Sequence, residues 1–305
     1  MGFPGCMAIA IMGDIHANLE ALEAVLEHAD KHYPGIELYS TGDIVGYGAN
    51  PKECLDIVRD RFEDIAQGNH DAAVGMDGDI PNTVLNGSGV DIALDHRGKL
   101  DDSDREFLRG LGDISVLAHN PLEEEKGPII IAHGFPADRD KYVKQPYGIF
   151  EKLRRINGMK GFENTYVVVN GHTHVSRFWG SFEARMGPVV FGSRNDILER
   201  GLGNGNSEIY VGAEYIVEDL LDRVLPLPRD EILGFGNFFM INAGSVGQPR
   251  DKDRRAGYIV LSENKGKLGV TFHRVEYDNM KAAQKIRDAG YDARQADRLL
   301  PDPIE

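Results

Sequence analysis

Short apolar runs rich in aliphatic and β-branched residues recur at 7–12, 37–40, 62–66, 128–132 and 165–169. Runs of that length and content read as buried strands. Between the first two, Leu19, Leu22, Leu26 and Ala29 fall at helical spacing, which predicts an amphipathic helix over 18–32. Pro51 marks the start of a second helix, because proline is favoured at the first helical position. Strand, helix, strand, helix, strand in that order predicts a parallel sheet with right-handed crossovers. Residues 84–112 read as two helical pieces divided near 98–101, with Asp102 as cap of the second and Leu108 and Leu111 on its apolar side. Farther on, 238–241, 257–261 and 268–275 read as antiparallel strands, followed by helices at 279–289 and near 293–300.

Each of the first five runs is followed at once by a polar block. The blocks are Asp14-Ile15-His16, Gly42-Asp43, Gly68-Asn69-His70-Asp71, His133-Gly134 and Gly171-His172-Thr173-His174. Side chains just past the C-terminal ends of neighbouring strands converge on one crevice in open α/β sheets. Seven candidate ligands result: Asp14, His16, Asp43, Asn69, His133, His172 and His174. Three oxygen donors and four imidazoles exceed what one tetrahedral ion takes and suit two ions sharing a carboxylate. Asp43, with two carboxylate oxygens, is the natural bridge. In extended chain, residues two apart share a face, so Asp14 and His16 should point together, as should His172 and His174. The mixed nitrogen and oxygen set suits Mn, Fe, Zn or Ni better than Mg or Ca and does not rank those four.

These five blocks, in this order, resemble the signature of the calcineurin-like metallophosphoesterase superfamily: D-x-H, GD, GNH followed by Glu or Asp, a lone His, and GH-x-H. The likeness covers about 7–175 and resumes over 242–260. Residues 42–48 and 242–250 carry a closer likeness to its small prokaryotic phosphodiesterase-type branch. The resemblance implies an α/β fold, a four-layer α-β-β-α sandwich of two mixed β-sheets flanked by helices. It implies two metal ions, with His172 and His174 divided between them: Asp14, His16 and His174 on one, Asn69, His133 and His172 on the other. It further implies hydrolysis of a small phosphorylated substrate, a phosphodiester, by a metal-bridging hydroxide, with His70 as the acid that protonates the leaving oxygen.

One departure bears on substrate. In the protein-phosphatase branch the second block reads GD-x-x-DRG, with an aspartate orienting the catalytic histidine and an arginine gripping phosphate. Gly46 and Tyr47 stand at those positions here, which counts against a protein phosphatase and leaves His70 without a known partner. Asp71 is expected only to cap a helix. Arg250 is the candidate substitute clamp, and Tyr47 could face the substrate. Two other readings stay open: a dinucleoside-polyphosphate hydrolase, which needs a pocket for bases, and a non-catalytic scaffold, which tends to lose ligands that this chain keeps.

The family core needs only a short strand pair between His174 and Asn242, so 176–236 reads as an insertion in a single domain spanning 1–305. It contains glycine-rich turns at 201–205 and an amphipathic stretch at 215–224. A surface elaboration, a contact in a homo-oligomer and a substrate lid are all consistent with it. Gly201-x-Gly203-x-Gly205 is no dinucleotide fingerprint, since its third glycine comes one position early.

A formal charge of −15 argues against a nucleic-acid groove or an anionic membrane as partner. Cys6 and Cys54 form no metal or disulfide pattern, which fits a reducing cytoplasm. The first apolar run is short and ends at Asp14, as a strand does and a signal peptide does not. No run approaches the roughly 20 apolar residues of a spanning helix. His28, His32, His96, His119 and His273 carry no signature and are assigned no role, and the acidic runs 101–102 and 123–125 read as solvated faces.

Overall fold

The computed structural model describes residues 8–85, 87–117, 128–136, 138–141, 167–181, 189–192, 208–209, 238–263 and 268–300. The amino-terminal half runs β1 (Ala8–Met12), α1 (Leu19–His32), β2 (Glu37–Ser40), α2 (Pro51–Arg61) and β3 (Asp64–Ile65). Then come α3 (Asn69–Gly75), α4 (Ser88–Lys99), α5 (Asp102–Gly110), β4 (Ile114–Leu117) and β5 (Ile129–Ala132). Next are β6 (Val167–Asn170), β7 (Arg177–Ser181), β8 (Val189–Gly192), β9 (Glu208–Ile209) and β10 (Phe238–Asn242). The chain continues with β11 (Ala256–Glu263), β12 (Leu268–Val275), α6 (Asn279–Asp288) and α7 (Ala293–Asp297).

Two mixed sheets result, in the orders β12-β11-β1-β2-β3 and β4-β5-β6-β10-β7-β8-β9. In the first, β1, β2 and β3 are parallel as the alternation of strand and helix predicts, while β11 runs antiparallel to β1. In the second, β5, β6 and β10 are parallel. Alternation along β1 explains why the sheets stack. Ile9 and Ile11 face Ile129, Ile131, Val167, Val169 and Ile241 of the second sheet in one buried cluster. Ala10 and Met12, on the opposite pleat, pack with Leu22, Leu26 and Leu55 beneath α1 and α2. A sheet buried on both faces needs strands that are apolar throughout, which is what the short runs supply. The expected α/β arrangement of two mixed sheets flanked by helices is therefore present.

Several details differ from the sequence-based expectations. The cap of α5 is Asp101, one residue before Asp102: its carboxylate accepts from Asp104 N at 2.9 Å, and Asp104 reaches back to Asp101 N. In a run of acids the pattern does not say which one caps, and the reciprocal pair decides it. Strand β4, at the edge of the second sheet, was not anticipated; its alternation is cut short at four residues. Strand β3 has only two residues. Within the segment expected to be an insertion, β7, β8 and β9 extend the second sheet beyond β10. The turns at 201–205, the stretch at 215–224, Cys6, His119 and the acidic run 123–125 lie outside the described residues. Cys54 is a free, buried thiol. Among the described residues no helix is long and apolar enough to cross a membrane.

Candidate metal centre

All seven sequence-predicted ligands meet in one buried cluster at the strand ends, each no more than 5% exposed. Their convergence does not come from extended chain, as the two-residue spacing suggested. Asp14 and His16 have φ of 51° and 50°, Asp43 has 55°, and His172 and His174 have 66° and 57°. Five non-glycine residues in the left-handed region carry backbone strain of the kind that persists where a site demands it. Backbone hydrogen bonds between the loops hold that conformation: Asp14 N to Gly42 O at 3.0 Å, His16 N to Asp43 O at 2.9 Å and Gly171 N to His133 O at 3.0 Å.

The outer nitrogen of every candidate histidine meets a backbone carbonyl. His16 Nδ1 donates to Val45 O (3.1 Å), His174 Nδ1 to Gln248 O (2.6 Å), His133 Nδ1 to Thr41 O (3.0 Å) and His172 Nε2 to Asp140 O (3.2 Å). A carbonyl oxygen only accepts, so each of these nitrogens carries the proton and the opposite nitrogen presents a lone pair. Those lone pairs face one another: His16 Nε2 lies 3.0 Å from His174 Nε2, and His133 Nε2 lies 2.9 Å from His172 Nδ1. Asn69 Oδ1, its amide oriented by donation from Nδ2 to Val84 O, is 3.0 Å from His133 Nε2. Carboxylates complete the set, with Asp14 Oδ1 at 3.2 Å from His174 Nε2 and Asp43 Oδ2 at 3.2 Å from His133 Nε2 and 3.6 Å from His16 Nε2. Acceptors converging on acceptors repel unless a cation sits among them. Histidines whose second nitrogen is tied to a carbonyl are the usual dress of metal ligands. The donor set thus fits divalent metal ions, in one group of Asp14, His16 and His174 and another of Asp43, His133 and His172.

Protonation reports the same demand for positive charge. Burial holds His16 and His174 well below the ordinary imidazole range and takes His172 down to about 3. Burial acts on His133 in the same direction, but Asp43, Asp14 and Asp71 outweigh it and push this ring up to about 9. Burial would raise Asp43, yet His133, His70 and His16 hold it well below the carboxylate range.

His70 differs from the four ligands. Among the described residues its Nδ1 has no hydrogen-bond partner, although the residue is buried. Its backbone N donates to Asp43 Oδ1 at 2.9 Å, and its ring lies edge-on to Tyr47 and His16 at centroid distances of 4.5 and 4.9 Å. It shares a third potential donor group with His16 and Asp43. Among the described residues no carboxylate hydrogen-bonds to its ring. Packing orients it: Gly46, at φ +97°, leaves space for the ring that a Cβ would fill, 2.3 Å from Nδ1.

Arg250 reaches the mouth of the centre. Its guanidinium lies 5.6 Å from the Tyr47 ring centroid, its backbone N bonds to His174 O at 3.0 Å, and its charge is felt by Asp14, His16, His70 and His174. Further roles of three residues escaped the sequence reading. Asp71 accepts from Gly68 N, as the cap it was expected to be, and also from Asp43, Ile44 and Val45 N at 2.7 to 3.3 Å. It therefore clamps the loop that carries Asp43. His96, to which no role was given, is buried and accepts at Nδ1 from Gly46 N while Nε2 donates to Gly48 O. Gln248 positions His174 through its carbonyl. The polar type of Asp71 and its place in the third block were visible signals; nothing near His96 in sequence ties it to the Gly46 loop.

The calcineurin-like phosphoesterase family model matches residues 7–176. An uncharacterised protein of Methanocaldococcus jannaschii is 31% identical over 279 residues, 91% of each chain. A symmetrical bis(5'-nucleosyl)-tetraphosphatase of Actinobacillus pleuropneumoniae is 37% identical over 67 residues, 21% of this chain and 25% of that protein. Among solved structures, a metallophosphoesterase from Sphaerobacter thermophilus superposes with a TM-score of 0.63 at 25% identity, covering 97% of this chain and 98% of the other. A hypothetical protein from Pyrococcus horikoshii OT3 shares the fold, with a TM-score of 0.61 at 17% identity over 99% and 98% of the two chains.

Proposed function

Because this chain belongs to the calcineurin-like phosphoesterase family, we propose that it hydrolyses a phosphodiester bond in a small phosphorylated substrate, with two divalent transition-metal ions. The observation that carries this reading is the convergence of four carbonyl-anchored imidazoles with Asp14, Asp43 and Asn69. Asp14, His16 and His174 would hold one ion, Asn69, His133 and His172 the other, and Asp43 would serve both. Ions of the Mn, Fe, Zn or Ni class lower the pKa of water and neutralise charge on phosphoryl oxygens.

The protein's own groups do the rest. Asp71 and the carbonyls of Val45, Thr41, Gln248 and Asp140 fix the ligands before substrate arrives, so little reorganisation is left for the reaction. His70 gives its proton to the leaving oxygen. It suits that task because no carbonyl ties its Nδ1, whereas the ligand imidazoles are held by theirs. Arg250 contacts a phosphoryl oxygen, and the Tyr47 ring forms a wall beside His70. The −15 charge of the chain supports a small-molecule substrate over nucleic acid or an anionic membrane, and two cysteines without a disulfide framework support a cytoplasmic enzyme.

A phosphodiester carries one negative charge near neutrality and a monoester close to two. With Gly46 and Tyr47 in place of an aspartate and an arginine, the site lacks the phosphate-gripping arginine of the protein-phosphatase branch. A panel of phosphomonoesters, diesters and dinucleoside polyphosphates with Mn, Ni, Zn and Mg tests the proposal. Expected is a higher kcat/KM for bis-nitrophenyl phosphate than for nitrophenyl phosphate, with little action on phosphoserine peptides. Preference for nitrophenyl phosphate or a phosphopeptide at saturating Mn would overturn it. The 67-residue similarity to a bis(5'-nucleosyl)-tetraphosphatase favours one second reading, hydrolysis of dinucleoside polyphosphates. Diadenosine tetraphosphate in the same panel separates the two.

A further inference from the structure

Beside the metal centre, two arginines share one neutral acceptor. Arg250 Nη2 donates to Gln248 Oε1 at 2.9 Å, and Arg298, at the end of α7, brings Nη1 to 3.4 Å from the same oxygen. Arg298 Nη1 also donates to Gln295 Oε1 at 3.1 Å, and Gln248 Nε2 donates to that same amide oxygen at 3.0 Å. The two cations therefore lie no farther apart than two hydrogen bonds laid end to end, over a pair of buried glutamines.

Like charges so close are ordinarily separated by a carboxylate. Here, among the described residues, neither guanidinium makes an ion pair. The acids next to them in sequence are engaged elsewhere, Asp251 with Arg274 and Asp297 with Arg287, and Asp292 pairs with Arg294. Arg250 Nε is buried and has no hydrogen-bond partner among the described residues. The backbone behind Arg298 is fixed, since Arg254 Nη1 donates to Arg298 O at 2.7 Å and Asn279 Nδ2 to Leu299 O at 3.0 Å. Gln248 joins the pair to the centre: its side chain holds both arginines, and its carbonyl holds His174. In a chain of net charge −15, two unneutralised guanidinium groups held beside the candidate centre form a place for an anion.

We propose that Arg298, together with Arg250, forms a subsite for a second phosphoryl group adjoining the scissile phosphodiester. The assignment rests on the phosphoesterase reading above and narrows its substrate to a molecule with two anionic phosphoryl groups in tandem. One group lies at the metals and His70, and the next lies against the arginine pair beyond Tyr47. Arg298 is then a specificity residue contributed by the carboxy-terminal helix, outside the stretch matched by the family model.

Two measurements on the full chain test this. In the first, inorganic pyrophosphate is titrated calorimetrically into chelator-treated wild type, Arg298→Ala and Arg298→Lys. The affinity should fall about 10-fold or more in Arg298→Ala, the order of one charge-assisted hydrogen bond, and be partly restored in Arg298→Lys. In the second, kcat/KM of the metal-loaded forms is compared on diadenosine tetraphosphate and bis-nitrophenyl phosphate. The Arg298→Ala loss should be at least about 10-fold larger for the tetraphosphate and reside mainly in KM. Unchanged pyrophosphate affinity overturns the subsite. Arg298-dependent pyrophosphate binding with equal losses on both substrates would make the ligand a free anion and overturn the substrate assignment. If the wild type turns over neither substrate with any metal, the phosphoesterase reading fails, and the pyrophosphate titration still decides the anion site.

Discussion

Gly46→Ala should cripple the chemistry while leaving the metals in place. Gly46 has φ +97°, and a Cβ there would stand 2.3 Å from His70 Nδ1, 2.7 Å from Cγ and 3.0 Å from Cε1. Favourable contact begins at about 3.5 Å, so the ring must retreat by roughly 1 Å. It has no free space to enter, because Tyr47 and His16 lie against it at 4.5 and 4.9 Å. Misplacing a positioned group by about 1 Å can cost on the order of 10²-fold in rate. Loss of a general acid altogether costs about 10²–10⁴-fold. The variant also forces an L-residue into the left-handed region, which adds about 1–2 kcal/mol of strain. Gly78→Ala separates the two effects: Gly78 has φ +75° and nothing within 4 Å of its added Cβ. The assay is steady-state turnover of an alkyl and a nitrophenyl phosphodiester, with metal content measured on the same samples. Gly46→Ala should keep its ions and lose about 100-fold on the alkyl ester and distinctly less on the nitrophenyl ester, whose leaving group needs little protonation. Gly78→Ala should retain turnover on both. Near-normal action of Gly46→Ala on the alkyl ester, or activity lost together with the metals, refutes the reasoning.

Asp43→Asn should bind both ions weakly and lose hydrolysis by orders of magnitude, because Asp43 faces both histidine groups; two tightly held metals with near-normal turnover would remove it as the bridge. His70→Ala should retain metal and fall about 10²–10⁴-fold on alkyl esters; an equal loss on alkyl and nitrophenyl esters counts against the acid role. Away from the site, burial and the nearby His28 and His32 take His273 down to about 4, where it stacks on Tyr258 and bonds to the Tyr33 hydroxyl at 2.9 Å. The unfolded chain takes up this proton near pH 6.5 and the folded chain near 4, so stability present above 6.5 is lost as pH falls toward 4, by at most about 3 kcal/mol. Urea midpoints of His273→Phe should fall less steeply than wild type across that window; parallel slopes would contradict it.

The sequence made the site legible because metal ligation leaves a local trace: a donor immediately after an apolar strand, repeated five times. The same periodicity foretold the parallel β1-β2-β3 core and the antiparallel β11 and β12. What stayed hidden depended on contacts between distant segments. His96 braces the Gly46 loop across 50 positions of sequence, Asp71 clamps the Asp43 loop across 28, and the Arg298 amide contacts span 50. Pattern also misjudged the local geometry. Side chains two apart do converge, but through left-handed loop residues at Asp14, His16, His172 and His174, since the strands end before the ligands begin. Strands β4 and β9, at the two edges of the second sheet with four and two residues, leave almost no periodic signal, and β7 and β8 were missed because 176–236 reads as one insertion.

The most direct test is a metal titration. Chelator-stripped protein is given graded equivalents of Mn, Ni or Zn, and bound metal and hydrolysis of bis-nitrophenyl phosphate are measured together. Turnover should be negligible in the stripped protein and rise to a plateau as bound metal approaches two ions per chain. Absence of hydrolysis at every loading, or a plateau with less than one ion bound per chain, would contradict a two-metal phosphodiesterase.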